Sequence, residues 1–261
     1  MKIGISTACL YPEYPEIALE QMINLGFKRY EFFVNSFLEL EKDYLIKLKK
    51  MLDESGSKVV SLHPFTSLTE GLFFFDGYSR RFEDGINIYR KFFEAAQFLG
   101  AKYLVLHGLM RGRSGTFRGS DEDYCKTFSK ISKVAKEYNV TLCQENVINY
   151  RSESIDFIKN MKRILGDEVS FVFDIKQCLL AGEDPVDMIK AMGENLKHIH
   201  ISDNDEQNTC LIPGKGDFDF KIIYKVLKEI NYNNYVIIEV YSNCISKIEN
   251  LKDAKLYLDN L

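Results

Sequence analysis

The stretch KHIHISDND, residues 197–205, combines the pattern of a buried β-strand with side chains that can bind a metal ion. A strand directs every second side chain to the same face, so His198 and His200 are expected to point into one interior. Asp203 and Asp205 follow at once and suit a turn or a capping position. We expect His200 to be a ligand at the end of the strand and His198, which lies deeper, to be a core residue or a partner of the ligands.

Seven further runs of this kind recur along the chain, and their apolar residues are nearly continuous, as in parallel strands that are covered on both faces. The eight runs are KIGIST (2–7), KRYEFFV (28–34), KVVSLH (58–63), KYLVLH (102–107), VTLCQE (140–145), VSFVFD (169–174), LKHIHIS (196–202) and YVIIEV (235–240). Between them lie amphipathic stretches of helical length, several of which end in Gly or Asn. This strict alternation predicts a single closed (β/α)₈ barrel, a TIM barrel, that forms one domain over residues 1–261.

The composition excludes several classes of protein. The net charge of -4 provides no general attraction for a polyanion, which argues against a nucleic-acid binder. The six cysteines contain no C-x-x-C pair and are expected to be reduced thiols. The first residues, MKIGISTACLYPEYPE, resemble neither a signal peptide nor a membrane anchor, so a cytoplasmic protein without membrane attachment is expected.

Six of the predicted strands end in a residue that can bind a metal ion. These residues are His63, His107, Glu145, Asp174, His200 and Glu239. The carboxyl ends of the strands form the active-site face of a β/α barrel, so these side chains are expected to converge on one cavity. The last four form an oxygen-rich set that suits Mn²⁺, Mg²⁺ or Co²⁺ and can also hold Zn²⁺. A divalent metal site is therefore predicted.

His63 and His107 leave two interpretations open. They could complete a second metal site in which Glu145 bridges the two ions. They could equally bind hydroxyl groups of a substrate. We favour one essential metal ion.

The ordered series QEN (144–146), FDIKQ (173–177), HIHISDND (198–205), PGKGDFDF (213–220) and IIEV (237–240) resembles the xylose isomerase-like TIM barrels. Within them it is most similar to the sugar phosphate isomerase/epimerase family, to which endonuclease IV is distantly related. The resemblance covers nearly the whole chain. It implies that Glu145, Asp174, His200 and Glu239 bind the metal, and that the two glutamates exchange a proton with the substrate carbon. It also implies a homodimer or homotetramer.

The chain departs from this family at several positions. Gln177 stands where the family often has His, Lys176 lies beside it, and Glu206 stands where the ketose epimerases carry Arg. These changes remove groups that would hold the oxygens of a ketose. Asn208 and Cys210 replace an Asp-x-His pair and would make a poor third metal position, which argues against the nuclease chemistry of endonuclease IV.

Other polar residues are candidates for contact with the substrate. The candidate substrate-binding residues are His63, His107, Arg111, Lys176, Gln177 and Lys215. Arg111 shares a glycine-containing loop with Arg113 and Arg118, and guanidinium groups suit phosphate or carboxylate; a solvated loop is the alternative. Lys215 stands where the family commonly has Glu, and either contacts an anionic substrate or faces solvent.

These observations predict a divalent-metal-dependent isomerase or epimerase of a small sugar, sugar phosphate or cyclitol. The expected reaction is proton transfer through a metal-stabilised enediolate, with Glu145 and Glu239 as acid and base. Three alternatives remain: an inosose-type dehydratase or lyase, an endonuclease IV-like phosphodiesterase, and a non-catalytic binding barrel.

Overall fold

The computed structural model describes residues 1–111 and 119–261, and every structural statement below refers to these residues. Arg113 and Arg118, two of the arginines in the loop after the fourth strand, lie outside the described residues.

The eight predicted strands form one closed parallel barrel in chain order, which confirms the predicted fold. The strands are β1 Lys2–Ser6, β2 Arg29–Val34, β3 Lys58–Pro64, β4 Tyr103–Leu106, β5 Thr141–Glu145, β6 Phe171–Asp174, β7 Leu196–Ile201 and β8 Tyr235–Ile238. The barrel closes because β8 pairs with β1, where Ile3 lies opposite Val236.

Helices surround the barrel and connect its strands. The α-helices of the described residues are α1 Pro15–Asn24, α2 Lys42–Ser55, α3 Ser67–Phe74, α4 Ser79–Leu99, α5 Asp121–Glu137, α6 Ile155–Leu165, α7 Ile175–Leu180, α8 Pro185–Met192, α9 Phe220–Glu229 and α10 Glu249–Asp259. The helices α2 and α4 end at Gly56 and Gly100, both in the left-handed conformation that glycine adopts without strain. None of these helices combines the length and the apolar content that a membrane crossing requires. The six cysteines are free thiols, and five of them are buried.

The interior of the barrel changes from apolar to polar along its axis. A small buried cluster contains Val60, Tyr103, Val105, Cys143, Val172, Tyr235 and Ile237. Side chains two positions apart on a strand share a face, so the residue two places beyond a member of this cluster points into the same interior. By this rule His107 points into the same interior as Val105, and Glu239 into the same interior as Ile237. The apolar cluster closes the barrel beneath the polar residues at the carboxyl ends of the strands.

Two shifts in strand register set which polar residues become neighbours. The pairing of β2 with β3 shifts by one residue after Tyr30, which places Glu31 opposite Ser61. A similar shift between β6 and β7 places Asp174 opposite His200. Such irregularities re-aim side chains within a sheet. Here they bring a glutamate of β2 and an aspartate of β6 onto the same imidazole.

Candidate metal centre

The four residues predicted to bind metal converge at the carboxyl end of the barrel. The Nδ1 atom of His200 lies 3.0 Å from Glu145 Oε1, 3.1 Å from Glu239 Oε2 and 3.7 Å from Asp174 Oδ2. One ligand atom from each residue lies within 4.8 Å of the others. We call Glu145, Asp174, His200 and Glu239 the primary cluster. Three carboxylates and an imidazole that face one point fit a divalent ion with oxygen-rich coordination.

Glu31 fixes the orientation of His200. Its Oε2 atom lies 3.0 Å from Nε2 of His200 and 2.9 Å from Nε2 of His198, and it accepts a hydrogen bond of 2.9 Å from Ser61. An ionised carboxylate can only accept, so His200 carries a hydrogen on Nε2 and directs Nδ1 toward the primary cluster. Metal-binding histidines are commonly oriented by such a carboxylate behind the ring.

The imidazole of His200 is surrounded by negative charge. Burial would lower the pKa of His200, but the charges of Glu239, Glu31 and Glu145 raise it well above the usual value. Burial likewise opposes ionisation of Glu239, yet the charge of His200 lowers the pKa of this carboxyl to about 2. The imidazolium ion and the carboxylates therefore stabilise one another, and a cation is what their arrangement requires.

His63, His107 and Glu145 form a second group of ligand atoms, which we call the secondary cluster. Nε2 of His107 lies 3.0 Å from Nε2 of His63 and 2.9 Å from Glu145 Oε2. Nδ1 of His63 contacts the carbonyl oxygen of Pro64 at 3.2 Å, so Nε2 faces the cluster. Burial would lower the pKa of His63, but the hydrogen bond to Glu145 and the charge of Glu31 raise it to about 9. Glu145 thus connects the two clusters, one oxygen to each.

The neighbours of Glu145 in sequence hold the strand ends in place. The side-chain nitrogen Nε2 of Gln144 donates to the carbonyl oxygens of Leu106 and His107, at 3.1 and 2.9 Å. The side chain of Asn146 pairs with the backbone of Asp174 through two hydrogen bonds, at 2.9 and 2.8 Å. The QEN segment therefore positions ligands on the strands before and after its own.

A cavity of about 560 Å³ opens above the two clusters. It is lined by Ala8, Tyr11, Phe33, Asn35, His63, Phe65, Ser67, His107, Glu145, Lys176, Gln177, Glu239, Val240 and Tyr241. The ring of Phe33 stacks on His63, with 4.8 Å between the ring centroids. A volume of this size suits a small molecule, and a wall that combines aromatic rings with convergent polar groups is typical of binding sites.

The structure brings four of the six predicted substrate-binding residues to this cavity: His63, His107, Lys176 and Gln177. The other two lie outside its lining. Arg111 forms an ion pair with Glu153. Lys215 is exposed on a loop that is held by hydrogen bonds from its backbone to Asp203, including one of 2.8 Å from Gly214. The positions of Arg111 and Lys215 therefore agree with the alternatives given for them, a solvated loop for Arg111 and a side chain that faces solvent for Lys215.

Sequence reasoning missed Glu31. The signal was an acidic residue between Tyr30 and Phe32 in an otherwise apolar run, because a carboxylate inside a buried strand needs a partner. Glu31 is fully buried, as is His198, the residue predicted to be a core residue or a partner of the ligands.

The closed barrel and the convergent carboxylates and imidazoles define a TIM barrel with a candidate metal centre at the carboxyl ends of its strands. The chain belongs to the xylose isomerase-like TIM barrel family, whose model matches residues 19–261. It is 23% identical to an inosose dehydratase of Clostridium tetani (strain Massachusetts / E88) over 137 residues, which cover 45% of this chain and 46% of that protein.

Two solved structures show the same fold over almost the entire chain. A D-tagatose 3-epimerase-like protein has a TM-score of 0.80 at 20% identity, with 100% of this chain and 96% of that chain covered. An IOLI protein with a bound zinc atom has a TM-score of 0.78 at 18% identity, with 99% of this chain and 96% of that chain covered.

Proposed function

We propose that this protein is a divalent-metal-dependent isomerase or epimerase of a small sugar, sugar phosphate or cyclitol. The observation that carries the proposal is the convergence of the primary cluster beneath a cavity into which Glu145 and Glu239 both project. The similar proteins include a D-tagatose 3-epimerase-like protein and an inosose dehydratase. Their names support a sugar or a cyclitol as the substrate.

The primary cluster would hold the ion through Glu145, Asp174, His200 and Glu239, and the neighbour with a bound zinc atom supports a metal in this barrel type. When bound, a divalent ion would supply a Lewis acid that polarises a carbonyl group and stabilises negative charge on oxygen. The donor set admits Mn²⁺, Co²⁺, Mg²⁺ or Zn²⁺. A second ion at the secondary cluster is the alternative to direct contact of His63 and His107 with the substrate.

Glu145 and Glu239 would perform the proton transfer. Burial would raise the pKa of Glu145, but the charges of His107 and His200 hold it well below the usual value, so both glutamates are ionised at neutral pH. An ionised carboxylate can remove a proton next to a carbonyl group and thereby becomes a carboxylic acid. A glutamate in this protonated form can then return a proton to the same or the neighbouring carbon. The resulting intermediate is an enediolate. His107, 2.9 Å from Glu145, can share the transferred proton.

A dehydratase is the second candidate, favoured by the partial similarity to an inosose dehydratase. It would use the same first step and then expel a hydroxyl group from the carbon next to the enediolate. The mass of the product separates the two outcomes, because loss of water changes it and isomerisation does not.

The test is incorporation of deuterium from D₂O into a panel of 2-ketoses, 2-ketose phosphates, ketouronates and inososes, measured by mass spectrometry on protein of known metal content. Glu239→Gln should lower exchange by about 10²- to 10⁴-fold because the base is lost. Glu229→Gln makes the same chemical change at an exposed position on α9 and should exchange at the rate of wild type. Equal rates for wild type and Glu239→Gln, or no exchange by metal-loaded wild type with any compound, would refute the proposal.

A further inference from the structure

Lys176 brings a buried positive charge to the wall of the cavity. Its side chain is 4% exposed, and its ammonium group lies 4.5 Å from the centroid of the Tyr241 ring. Lys176 follows Asp174 by two residues and also lines the cavity. Its ammonium group therefore lies beside the primary cluster.

The negative charge that balances Lys176 is shared with the primary cluster. The ion pair of Lys176 is with Oδ2 of Asp174 at 3.8 Å, which is longer than a hydrogen bond. The same oxygen faces His200, while Oδ1 accepts a hydrogen bond of 2.8 Å from the backbone of Gln177. A divalent ion held by Asp174 would draw on the same carboxylate, and the buried ammonium would then lack compensation. An anionic group in the cavity would restore it.

Gln177 adds a second donor next to Lys176. Its Oε1 atom accepts a hydrogen bond of 3.2 Å from the backbone of Ile148, so the amide nitrogen is the end left for a ligand in the cavity that Gln177 lines. An ammonium group and an amide nitrogen can both donate, and neither accepts. This pair is complementary to an oxyanion.

We propose that Lys176 and Gln177 form a carboxylate-binding subsite, and that the substrate is a sugar acid whose reacting end lies at the primary cluster. The inference rests on the proposed function and narrows its substrate class. Arginine forks are the side chains best suited to a phosphate dianion, and within the described part of the chain no arginine lines the cavity. Arg111 is engaged by Glu153 and Lys215 is exposed, and neither lines the cavity.

The test compares sugar acids with their neutral counterparts by calorimetry on Mn²⁺-loaded protein. Suitable pairs of 2-ketohexoses differ only at C6, for example D-fructuronate with D-fructose and D-tagaturonate with D-tagatose. For at least one pair, wild type should bind the acid about 10- to 100-fold tighter, the effect of a hydrogen bond to a charged group. Lys176→Met should abolish this preference and Lys176→Arg should retain it. Lys225→Met, at an exposed position on α9, is the control.

Two results would overturn the inference: no acid binds tighter than its alcohol, or the preference survives in Lys176→Met. Failure of the primary cluster is a separate outcome, read from the Mn²⁺ content before each titration. Wild type that takes up none of Mn²⁺, Co²⁺, Mg²⁺ and Zn²⁺ would refute the proposed function. A preference for acids that depends on Lys176 in the same metal-free protein would still support the carboxylate subsite.

Discussion

Glu31 contacts three polar side chains in the barrel interior. It accepts hydrogen bonds from Ser61, His198 and His200, all through the same oxygen. Its charge faces the ring of His200, and it would hold that ring in place for a metal ion on Nδ1. We therefore infer a positioning role for Glu31: it does not line the cavity, and it would act on a metal ion through His200.

Glu31→Gln should weaken metal binding while leaving the four ligands unchanged. The amide is of similar size and its oxygen can take the place of Oε2, but it carries no charge, so the hydrogen bond from Nε2 of His200 becomes weaker. Mutation of such a partner typically costs about 10- to 100-fold in metal affinity. Titration of the metal-free protein with Mn²⁺, followed by calorimetry, measures the change.

Ser61→Ala is the control for Glu31→Gln. It removes a neighbour of Glu31 but leaves the contact between Glu31 and His200 intact. We expect Ser61→Ala to bind Mn²⁺ within a few-fold of wild type. Equal Mn²⁺ affinities of Glu31→Gln and wild type would show that Glu31 only fills space.

The end of β4 is the element on which the secondary cluster depends most closely. His107 follows this strand, and Gly108 comes next with a φ of +86°. A Cβ atom at Gly108 would lie 1.9 Å from the hydroxyl oxygen of Tyr124. The backbone nitrogen of Gly108 donates to Glu70, a buried acid of α3. Glycine is therefore required here by both conformation and space.

Gly108→Ala should destabilise the fold far more than Gly56→Ala. Both glycines have positive φ, but a Cβ atom at Gly56 meets nothing within 4 Å. We expect Gly56→Ala to cost about 1 kcal/mol in the free energy of unfolding and Gly108→Ala several times as much, because strain and a clash add. Urea denaturation of both variants and of wild type measures the two changes in the free energy of unfolding. Equal costs would mean that the β4 end adjusts freely and does not hold His107 rigidly.

The strands and most of the candidate site could be predicted because apolar runs and period-two alternation are local properties. The polar residues at the ends of six strands indicated the primary cluster directly. The contacts of Glu31 could not be predicted, because the register shift between β2 and β3 decides that Ser61 lies opposite it. The positions of Arg111 and Lys215 could not be predicted either, since Arg111 pairs with Glu153 and the loop of Lys215 is held by Asp203. Loops follow tertiary contacts more than local sequence.

The fold gathers all the histidines of the chain in one interior. The chain has 4 His, and all of them lie in the barrel: His63, His107 and His200 belong to the two clusters, and His198 shares the carboxylate of Glu31 with His200. Histidine is the side chain whose ordinary pKa lies closest to neutral pH. Because the pKa values of His63 and His200 are raised, protons and a metal ion would compete at the candidate metal centre.

Metal affinity should rise with pH, because each ion must displace protons. The pKa of His200 is raised well above its usual value, so at neutral pH the first ion releases its proton and the affinity should increase about tenfold per pH unit. The pKa of His63 is raised to about 9, so the affinity for a second ion at the secondary cluster should also increase with pH up to about that value. Calorimetry in buffers of different ionisation enthalpy counts the protons released.

Protonation of these histidines also determines whether the stability of the fold rises or falls with pH. A raised histidine pKa stabilises the metal-free fold below the unfolded value near 6.5, and this contribution is lost as the pH rises through about 9. The melting temperature of the metal-free protein should therefore fall between these pH values, while that of the metal-loaded protein should rise as metal affinity increases. Parallel slopes for the two forms, or metal uptake without proton release, would contradict a site in which the imidazolium of His200 occupies the place of the ion.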